Sequence, residues 1–451
     1  MPKTPSDNLF RLVKSLTGSE KRYFKLFVGE TNEKNSKYLE LFDAIDQQEQ
    51  FDDDLLRVAI YGTTPIESRK YSELKAYLYD LLLRALQSYD HKSSVDFRLK
   101  NMLSGVRALY RRSHFDEARQ LLHKAKKLAL RYEQFHTLTE VIAWEKQIAY
   151  AKTDITFLSK NLTAIQQEES LYLQQQQTLT AFRNLFLELL VILRTDAALR
   201  SEAHAQKLQS IIEDPLLNTP EQPSSIRIRI LYQRIYSVYF YAQKNFERFY
   251  QSCKTLIELM EEAPHLLKED VSEYISALSN YVMSCGWLKK FDEVEATLPK
   301  FRKIRVNTHD DELKIHRQYF MIKLSLCIQK GDFKAGLEAL QEHQRIIASF
   351  SDAAFRKHTF YFQYFYIYFG SGNYDEALVA LNDWLNLTAN IERKDLQSLA
   401  RILNLIIHYE MGNAMLLQSL LRSTYRFLKK QPTIFQYEQK MLDFFRRIEK
   451  P

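Results

Sequence analysis

A turn followed by a helix start recurs along this 451-residue chain at nearly constant spacing. In one copy, Y-F-G-S-G-N-Y-D-E-A-L, an aromatic helix end leads through glycines into a second helix with one apolar stripe. The first residues of five such helices, Phe246, Phe291, Phe333, Tyr374 and Ala414, lie 45, 42, 41 and 40 residues apart. A fixed period above about 30 residues is typical of helical-repeat proteins, in which each unit covers its neighbour's apolar face. The spacing therefore predicts an all-α solenoid of about eight helical hairpins with a period of about 42 residues.

The same register extends toward the N-terminus. Phe115, in H-F-D-E-A, lies 131 residues before Phe246, so interpolation places two further helix starts at Phe157 and Leu199. Apolar residues stand six positions before each of the first seven starts, at Leu109, Ala151, Leu193, Phe240, Cys285, Cys327 and Tyr368. The last unit has His408 instead. This is the pattern expected if the end of each first helix points inward.

Residues 1–95 do not show the repeat clearly, and we expect them to form an N-terminal helical cap. The local signals are a T-x-x-E capping box at Thr17 and Glu20, helices at about 37–48 and 53–61, a helix end at Gly62, and a helix start at Thr64-Pro65-Ile66-Glu67. The last helix should run to about Tyr89 and bury a stripe of Leu74, Leu78, Leu81, Ala85 and Tyr89.

The best break in the repeat region is rich in proline. Three of the ten prolines, Pro215, Pro220 and Pro223, fall within nine residues. We therefore predict a first repeat stack at 96–212, a connecting segment at 213–225 and a second stack at 226–451. The connecting segment is either a long inter-helix loop or a hinge between stacks.

The repeated turn resembles that of a known family. Gly372-Asn373-Tyr374-Asp375-Glu376-Ala377 is similar to the turn and second-helix start of tetratricopeptide repeats, and H-F-D-E-A and K-F-D-E-V look like weaker copies. The segments S-L-T-G-S-E-K-R-Y-F-K-L-F and L-K-A-Y-L-Y-D-L-L-L-R-A-L also resemble the entry region of uncharacterised bacterial tetratricopeptide-like proteins. The first helices lack the family's Trp, Leu-Gly and Tyr pattern, and the period exceeds the family's 34 residues by about eight.

Positive charge is concentrated in one stretch of the chain. Residues 98–134 hold ten basic and three acidic side chains, an excess equal to the net charge of +7 for the whole chain. Six of these basic residues form two triads, each on one face of a predicted helix: Lys100, Arg107 and Arg111, then Lys124, Lys127 and Arg131. Two interpretations stay open, a solvated surface or a binding site for an acidic peptide or a phosphate-bearing partner.

Three other groups also carry alternative interpretations. His309, Asp310, Asp311 and His316 are the nearest approach to a metal-ligand cluster, although a polar loop entering a helix explains them better. The three cysteines, Cys253, Cys285 and Cys327, are either buried structural thiols, which we favour, or redox sensors. The run from Phe360 to Phe369, with eight aromatics in ten residues, is either the most buried helix of a stack, which we favour, or an exposed stacking platform.

The location of the chain follows from what its sequence contains. The cysteine number fits a reducing compartment, the N-terminus has no apolar signal core, and no apolar run approaches the ~20 residues of a membrane span. We therefore expect a cytoplasmic protein with no membrane partner.

No nucleotide-binding, zinc-protease or C-x-x-C motif occurs in the sequence, and we expect no enzyme activity, cofactor or metal. The leading hypothesis is a protein–protein interaction scaffold that binds a peptide or helix of a partner. The alternative is a transcriptional or signalling regulator with an N-terminal helix-turn-helix at about 19–61 and the repeats as a sensor. Its candidate recognition helices are acidic, with Glu40, Asp43 and Asp46 on one, which argues against nucleic acid as the partner. The sequence does not indicate an oligomeric state.

Overall fold

The described part of the chain is helical. The computed structural model describes residues 7–31, 37–62, 68–90, 94–195, 202–218, 225–269, 271–306, 308–348, 350, 357–386, 394–429 and 436–448. Across these ranges there are 22 α-helices and one short 3₁₀ helix, and no strand. The predicted all-α class is confirmed.

The chain divides into two compact units. The first comprises Met1–Leu288 and Ile304–Glu312. Its helices are α1 Asn8–Ser15, α2 Gly18–Thr31, α3 Lys37–Gln47, α4 Asp53–Tyr61, α5 Ser68–Asp90, α6 Val95–Tyr110, α7 Phe115–Arg131, α8 Phe135–Ala151, α9 Ile155–Thr195, α10 Glu202–Ile212, α11 Ile226–Ala242, α12 Phe246–Glu262, α13 Pro264–Leu267 and α14 Val271–Trp287.

The second unit comprises Lys289–Lys303 and Leu313–Pro451. Its helices are α15 Phe291–Lys303, α16 His309–Lys330 (with its first turn in the first unit), α17 Phe333–Ile347, α18 Tyr361–Gly370, α19 Tyr374–Leu385, α20 Lys394–Glu410, α21 Ala414–Lys429 and α22 Gln436–Ile448. The division between units falls after Leu288, whereas the predicted boundaries near residue 95 and at 213–225 both lie inside the first unit. Pro220 and Pro223 lie outside the described residues.

Helices α1–α5 pack around their own apolar core, in which Phe24, Phe42 and Leu78 are buried. The capping box that starts α2 is formed, since the Thr17 N–H donates to Glu20 Oε2 at 2.7 Å and the Glu20 N–H donates to Thr17 Oγ1 at 3.3 Å. Four residues of the predicted stripe of α5 are buried, Leu74, Leu78, Leu81 and Ala85. Tyr89 is only partly buried, with its ring centre 5.2 Å from that of Tyr23. The predicted helix start at 64–67 lies outside the described residues.

Tight turns of one type connect helices along the rest of the chain. Two residues before each following helix stands a residue with left-handed backbone: Ser113, Glu133, Thr153, Lys244, Lys289, Gly331, Gly372 and Gly412, with φ between 49° and 78°. In most of these turns the next N–H donates to the carbonyl five residues earlier, as Asn373 does to Tyr368 at 2.9 Å. This 6→1 bond satisfies an orphan carbonyl at the helix end and reverses the chain.

The predicted register is confirmed wherever it was read directly from a motif. Helices α7, α12, α15, α17, α19 and α21 each begin at the predicted residue. The two helix starts that were placed by interpolation have other outcomes. Phe157 is the third residue of α9, and Leu199 lies outside the described residues.

Between residues 115 and 155 the helices begin about half a period apart, as two helices in each period of about 42 residues require. Helices α7, α8 and α9 begin 20 residues apart, at Phe115, Phe135 and Ile155, and consecutive members pack together. Helix α9 spans 41 residues, over which the two interpolated hairpins would place two helices joined by a turn. The structure has one continuous helix instead.

The aromatic helix α18 lies in the interior of the second unit. Phe360, Tyr364 and Phe365 are buried, and the other five aromatics of the run are partly buried, so the core interpretation holds. Tyr374, which the core interpretation placed in the buried stripe of α19, is only half-buried, with its ring 5.5 Å from that of Phe369. Trp384, at the other end of α19, is buried instead.

Candidate functional site

The two predicted basic triads lie on exposed faces of α6 and α7. All six side chains are exposed: Lys100, Arg107, Arg111, Lys124, Lys127 and Arg131. The buried stripes, Leu99 to Val106 on α6 and Ala118 to Ala129 on α7, point elsewhere, as the helical spacing requires. No described contact joins one triad to the other, so the structure shows two basic surfaces on successive helices.

Within the triads, most of the charge is uncompensated. Lys100 forms an ion pair with Asp96 at 2.6 Å, one turn earlier on the same helix. The Arg107 guanidinium lies 5.9 Å from the centre of the Trp144 ring on α8. Apart from Lys100, no member of the triads forms an ion pair with a described residue.

Other basic residues, on α7 and on or just after α8, behave differently, because they reach across to neighbouring helices. Their ion pairs are Arg119–Asp154 at 3.3 Å, Lys152–Asp116 at 2.5 Å, Lys126–Glu145 at 3.2 Å, Lys126–Glu168 at 2.7 Å and Lys146–Glu169 at 2.5 Å. Lys152 holds the pKa of the Asp116 carboxyl below its usual range. These pairs join α7, α8 and α9, and they leave the two triads as the exposed cationic part of this region.

The C-terminal end of the α7 triad is anchored to α11 and α13. Glu133, in the turn after α7, accepts hydrogen bonds from the Ser225 hydroxyl at 2.8 Å and from the Ile226 and Arg227 N–H groups, both at 2.9 Å. A carboxylate from a distant turn thus caps the N-terminus of α11, where the helix dipole favours negative charge. The Arg131 carbonyl lies 2.9 Å from Nε2 of His265 on α13, which holds the end of the triad in place.

The disfavoured alternative of a metal-ligand cluster around His309 does not assemble, and His309, Asp310 and Asp311 instead form the first turn of α16. His309 contacts Glu312 at 3.4 Å, and Asp311 caps the start of α16 through Thr308. His316 lies inside the second unit, with its Nε2 3.1 Å from Nδ1 of His343. Among the described residues, no group of three or more His, Cys, Asp or Glu side chains is placed to hold a metal ion.

All three cysteines are free and buried, at Cys253, Cys285 and Cys327. Burial raises the pKa of Cys253 to about 12 and also raises that of Cys327. Because the thiolate is the reactive form, burial of the three cysteines and the raised pKa of Cys253 and Cys327 support the structural interpretation.

The acidic residues of the alternative helix-turn-helix are engaged inside the N-terminal region. Asp43 forms an ion pair with Lys25 at 2.7 Å, and Asp46 with Lys21 at 2.6 Å, both reaching from α3 to α2. Asp53 of α4 accepts from Lys75 of α5 at 2.8 Å. These carboxylates therefore hold helices together, and none of these contacts favours DNA binding.

A groove in the second unit is a further candidate that the sequence patterns did not indicate. It has a volume of about 300 Å³ and lies on α21, beside the turn from α20 and the end of α22. Its lining includes His408, Tyr409, Ala414, Leu417, Gln418, Leu421 and Phe445. We call it the α21 groove.

Among the described helices, none combines the length and the apolar composition needed to cross a membrane. In comparisons with known proteins, no family model, no curated protein and no solved structure matches this chain.

Proposed function

We propose that this protein is a non-enzymatic scaffold that binds an acidic peptide or helix of a partner protein on a stack of helical hairpins. The proposed architecture is a tetratricopeptide-like solenoid, built from hairpins about 42 residues apart after the N-terminal helices. Its support is the series of helix starts at Phe246, Phe291, Phe333, Tyr374 and Ala414, together with the packing of consecutive helices such as α6, α7 and α8.

The observation that carries the binding proposal is the uncompensated charge on α6 and α7. Basic side chains that reach neighbouring helices there are neutralised by Asp or Glu, whereas Arg107, Arg111, Lys124, Lys127 and Arg131 have no such partner among the described residues. A surface of this kind attracts negatively charged partners and speeds their association. Its best ligand is therefore an acidic segment of another protein.

The absence of catalysis is part of the proposal and rests on where the reactive side chains lie. The three thiols are buried, the pKa values of Cys253 and Cys327 are raised, and His316 and His343 pack against aromatic rings in the interior. Peptide recognition by helical surfaces needs shape and charge, and it does not need titrating groups exposed in a cleft.

The test measures the contribution of each triad to the binding affinity separately. The native partner is first identified by affinity purification with mass spectrometry. Its purified acidic segment is then titrated with two charge-reversed proteins. One carries Lys100→Glu, Arg107→Glu and Arg111→Glu, and the other carries Lys124→Glu, Lys127→Glu and Arg131→Glu. We expect at least a tenfold loss of affinity in one or both, and weaker binding of the unaltered protein as salt is raised.

A matched control reverses three exposed basic residues outside the triads, Arg84→Glu, Lys160→Glu and Lys334→Glu, and should bind as the unaltered protein does. Equal affinity of both triad variants and the control would show that the partner binds elsewhere or that the charge is only a solvated surface.

A further inference from the structure

The α21 groove is apolar and its rim exposes large apolar side chains. Leu417, Leu421 and Phe445 contribute to its lining, and Leu421 and Phe445 are buried. Next to Ala414 in the first turn of α21, Met415 is 91% exposed and Leu416 is 46% exposed. Phe444 of α22 is 46% exposed and contacts Tyr409, with ring centres 6.1 Å apart. Clustered exposed apolar side chains of this size mark interaction surfaces in soluble proteins.

Comparison with the preceding hairpin shows that this exposure is specific to α21. Helix α19 begins forty residues earlier in the same register, and its first turn carries Asp375 and Glu376 where α21 has Met415 and Leu416. Acidic side chains at a helix N-terminus are stabilising because they offset the positive end of the helix dipole. Helix α21 lacks them and presents two large apolar residues to solvent. The stability of α21 therefore does not explain why Met415 and Leu416 occupy its first turn.

The groove lies beside three helices that pack against one another. Helix α20 packs between the hairpin before it, through Leu403 and Ile407, and the helices after it, through Ile402 and Leu405. Helix α22 repeats this arrangement on one side, since it packs against both α20 and α21. Ala414 and Leu417 of α21 line the groove and are not buried, and Phe445 of α22 lines it as well. A helix bound in the groove would therefore contact both α21 and α22.

The net positive charge of α21 and α22 indicates that a ligand of the groove is acidic. Helices α21 and α22 together carry six basic residues, Arg422, Arg426, Lys429, Lys440, Arg446 and Arg447, against two acidic ones, Glu438 and Asp443. Glu438 is buried, and Asp443 contacts Arg446 at 3.6 Å. Arg422 and Arg426 follow Gln418 of the groove at one-turn intervals, so they line its rim.

We propose that the α21 groove binds an acidic amphipathic helix of a partner protein. Its apolar face covers Ala414, Met415 and Leu417, and its carboxylates pair with Arg422 and Arg426. This site uses residues different from the α6 and α7 triads and does not depend on them. A second copy of this chain is a poorer occupant, because apposing two basic surfaces is repulsive.

The experiment selects ligands without assuming the partner. A phage-displayed library of helical peptides about 18 residues long, with Leu, Ile, Met or Phe fixed along one face and all residues allowed elsewhere, is selected on the full chain. We expect the enriched peptides to be acidic and to bind with micromolar Kd as fluorescein conjugates. Each Kd is then measured on variants of the groove.

The decisive variant is Met415→Asp with Leu416→Glu, which gives α21 the first turn of α19. It should weaken binding at least tenfold while leaving the melting temperature unchanged or raised, because the helix N-terminus gains acidic side chains. Arg422→Glu with Arg426→Glu should also weaken binding at least tenfold, and should shift a repeated selection toward basic peptides. Arg84→Glu with Lys160→Glu, distant in sequence and equally exposed, is the control and should have no effect.

Other outcomes would overturn the proposal. Failure to enrich any peptide, absence of acidic bias, or affinities unchanged by Met415→Asp with Leu416→Glu would each do so. Peptides lost instead in the triad variants would refute this site while supporting the function proposed above. A dimer of the unaltered chain that becomes monomeric in the Met415→Asp, Leu416→Glu variant would show that the occupant is a second copy.

Discussion

At the scale of single residues, the least expected feature is a chain of three polar rings in the interior of the second unit. His316 contacts His343, and Nε2 of His343 lies 2.7 Å from the Tyr364 hydroxyl. His343 is fully buried, and the ring centres of Phe320 and Phe360 lie 5.0 and 4.4 Å from its own. A neutral imidazole offers one donor and one acceptor, so both contacts are satisfied when every member is uncharged. Protonation would place a positive charge in this buried site.

We therefore expect acid to destabilise the second unit through His316. Burial lowers the pKa of His316 to about 4 from its usual 6.5; the nearby Glu342 opposes this shift and Arg302 adds to it. Because the unfolded chain binds the proton more readily, this contribution to stability is full above pH 6.5 and is lost as the pH falls toward 4. The loss approaches about 3 kcal/mol, at about 1.4 kcal/mol per pKa unit.

The measurement is the free energy of unfolding in urea between pH 7.5 and 4.5, for the unaltered protein and for His316→Gln. The variant should lose part of the pH dependence in this window, whatever its stability at pH 7.5. Parallel curves for the two proteins would mean that His316 titrates normally in the folded state.

Residue-level details of the turns could not be predicted from the sequence. Five of the eight left-handed turn residues are not glycine, among them Glu133 and Thr153. Glycine is the usual sequence signal for this conformation, because other residues pay a steric penalty there. The turns before Phe135 and Ile155 carry no such signal, so the start of α9 was placed by interpolation at Phe157, two residues after its observed start at Ile155.

At the scale of elements, the two glycines near the start of α19 have different roles. Gly372, with φ of 78°, supplies the left-handed turn. Gly370 ends α18, and a Cβ at this position would overlap the ring of Phe333, the first residue of α17. A glycine is needed at position 370 because it leaves room for the Phe333 ring. Phe333, at the start of α17, can therefore pack against the end of α18.

Gly370→Ala should therefore lower stability by about 1–3 kcal/mol, the usual range for overpacking a filled interior. Adding Phe333→Leu should recover part of the loss, with a coupling free energy of at least about 0.5 kcal/mol in a double-mutant cycle of urea unfolding. Gly286→Ala, in α14 with open space around the added methyl, is the control and should be neutral or slightly stabilising. Additive effects of the Gly370 and Phe333 changes would argue against this contact.

Helices that start at a clear turn motif could be predicted to the residue, and helices inferred by interpolation could not. The motif at Tyr374 combines turn, first-turn acids and apolar stripe, and these signals agree with one another. Helix α9 lacks an internal glycine or proline, so nothing in its sequence stops it, and regular spacing was a poor substitute for a stop signal. Similarly, the exposed faces of the triads followed from helical spacing, whereas the α21 groove depends on which helices meet around it.

At the scale of the whole molecule, each of the two units has apolar cores of its own. One core of the first unit extends from Val95 to Ile235, and two adjoining cores of the second extend from Phe365 to Phe445. In repeat proteins stability comes from local interfaces, so cooperativity need not extend over the chain. We expect urea unfolding to occur in two transitions, with amide exchange protection lost unit by unit in mass spectrometry.

Variants on the two sides of the division allow this expectation to be tested. Glu133→Gly removes three hydrogen bonds that cap α11 and should lower the free energy of the first unit's transition by about 1–2 kcal/mol. Thr153→Gly, at a turn residue of nearly the same φ whose side chain caps no distant helix among the described residues, should change it by less than about 1 kcal/mol. Gly370→Ala should shift only the other transition. If Glu133→Gly and Gly370→Ala shifted one shared transition equally, a change in either unit would destabilise the whole chain. The chain would then unfold as a single cooperative body.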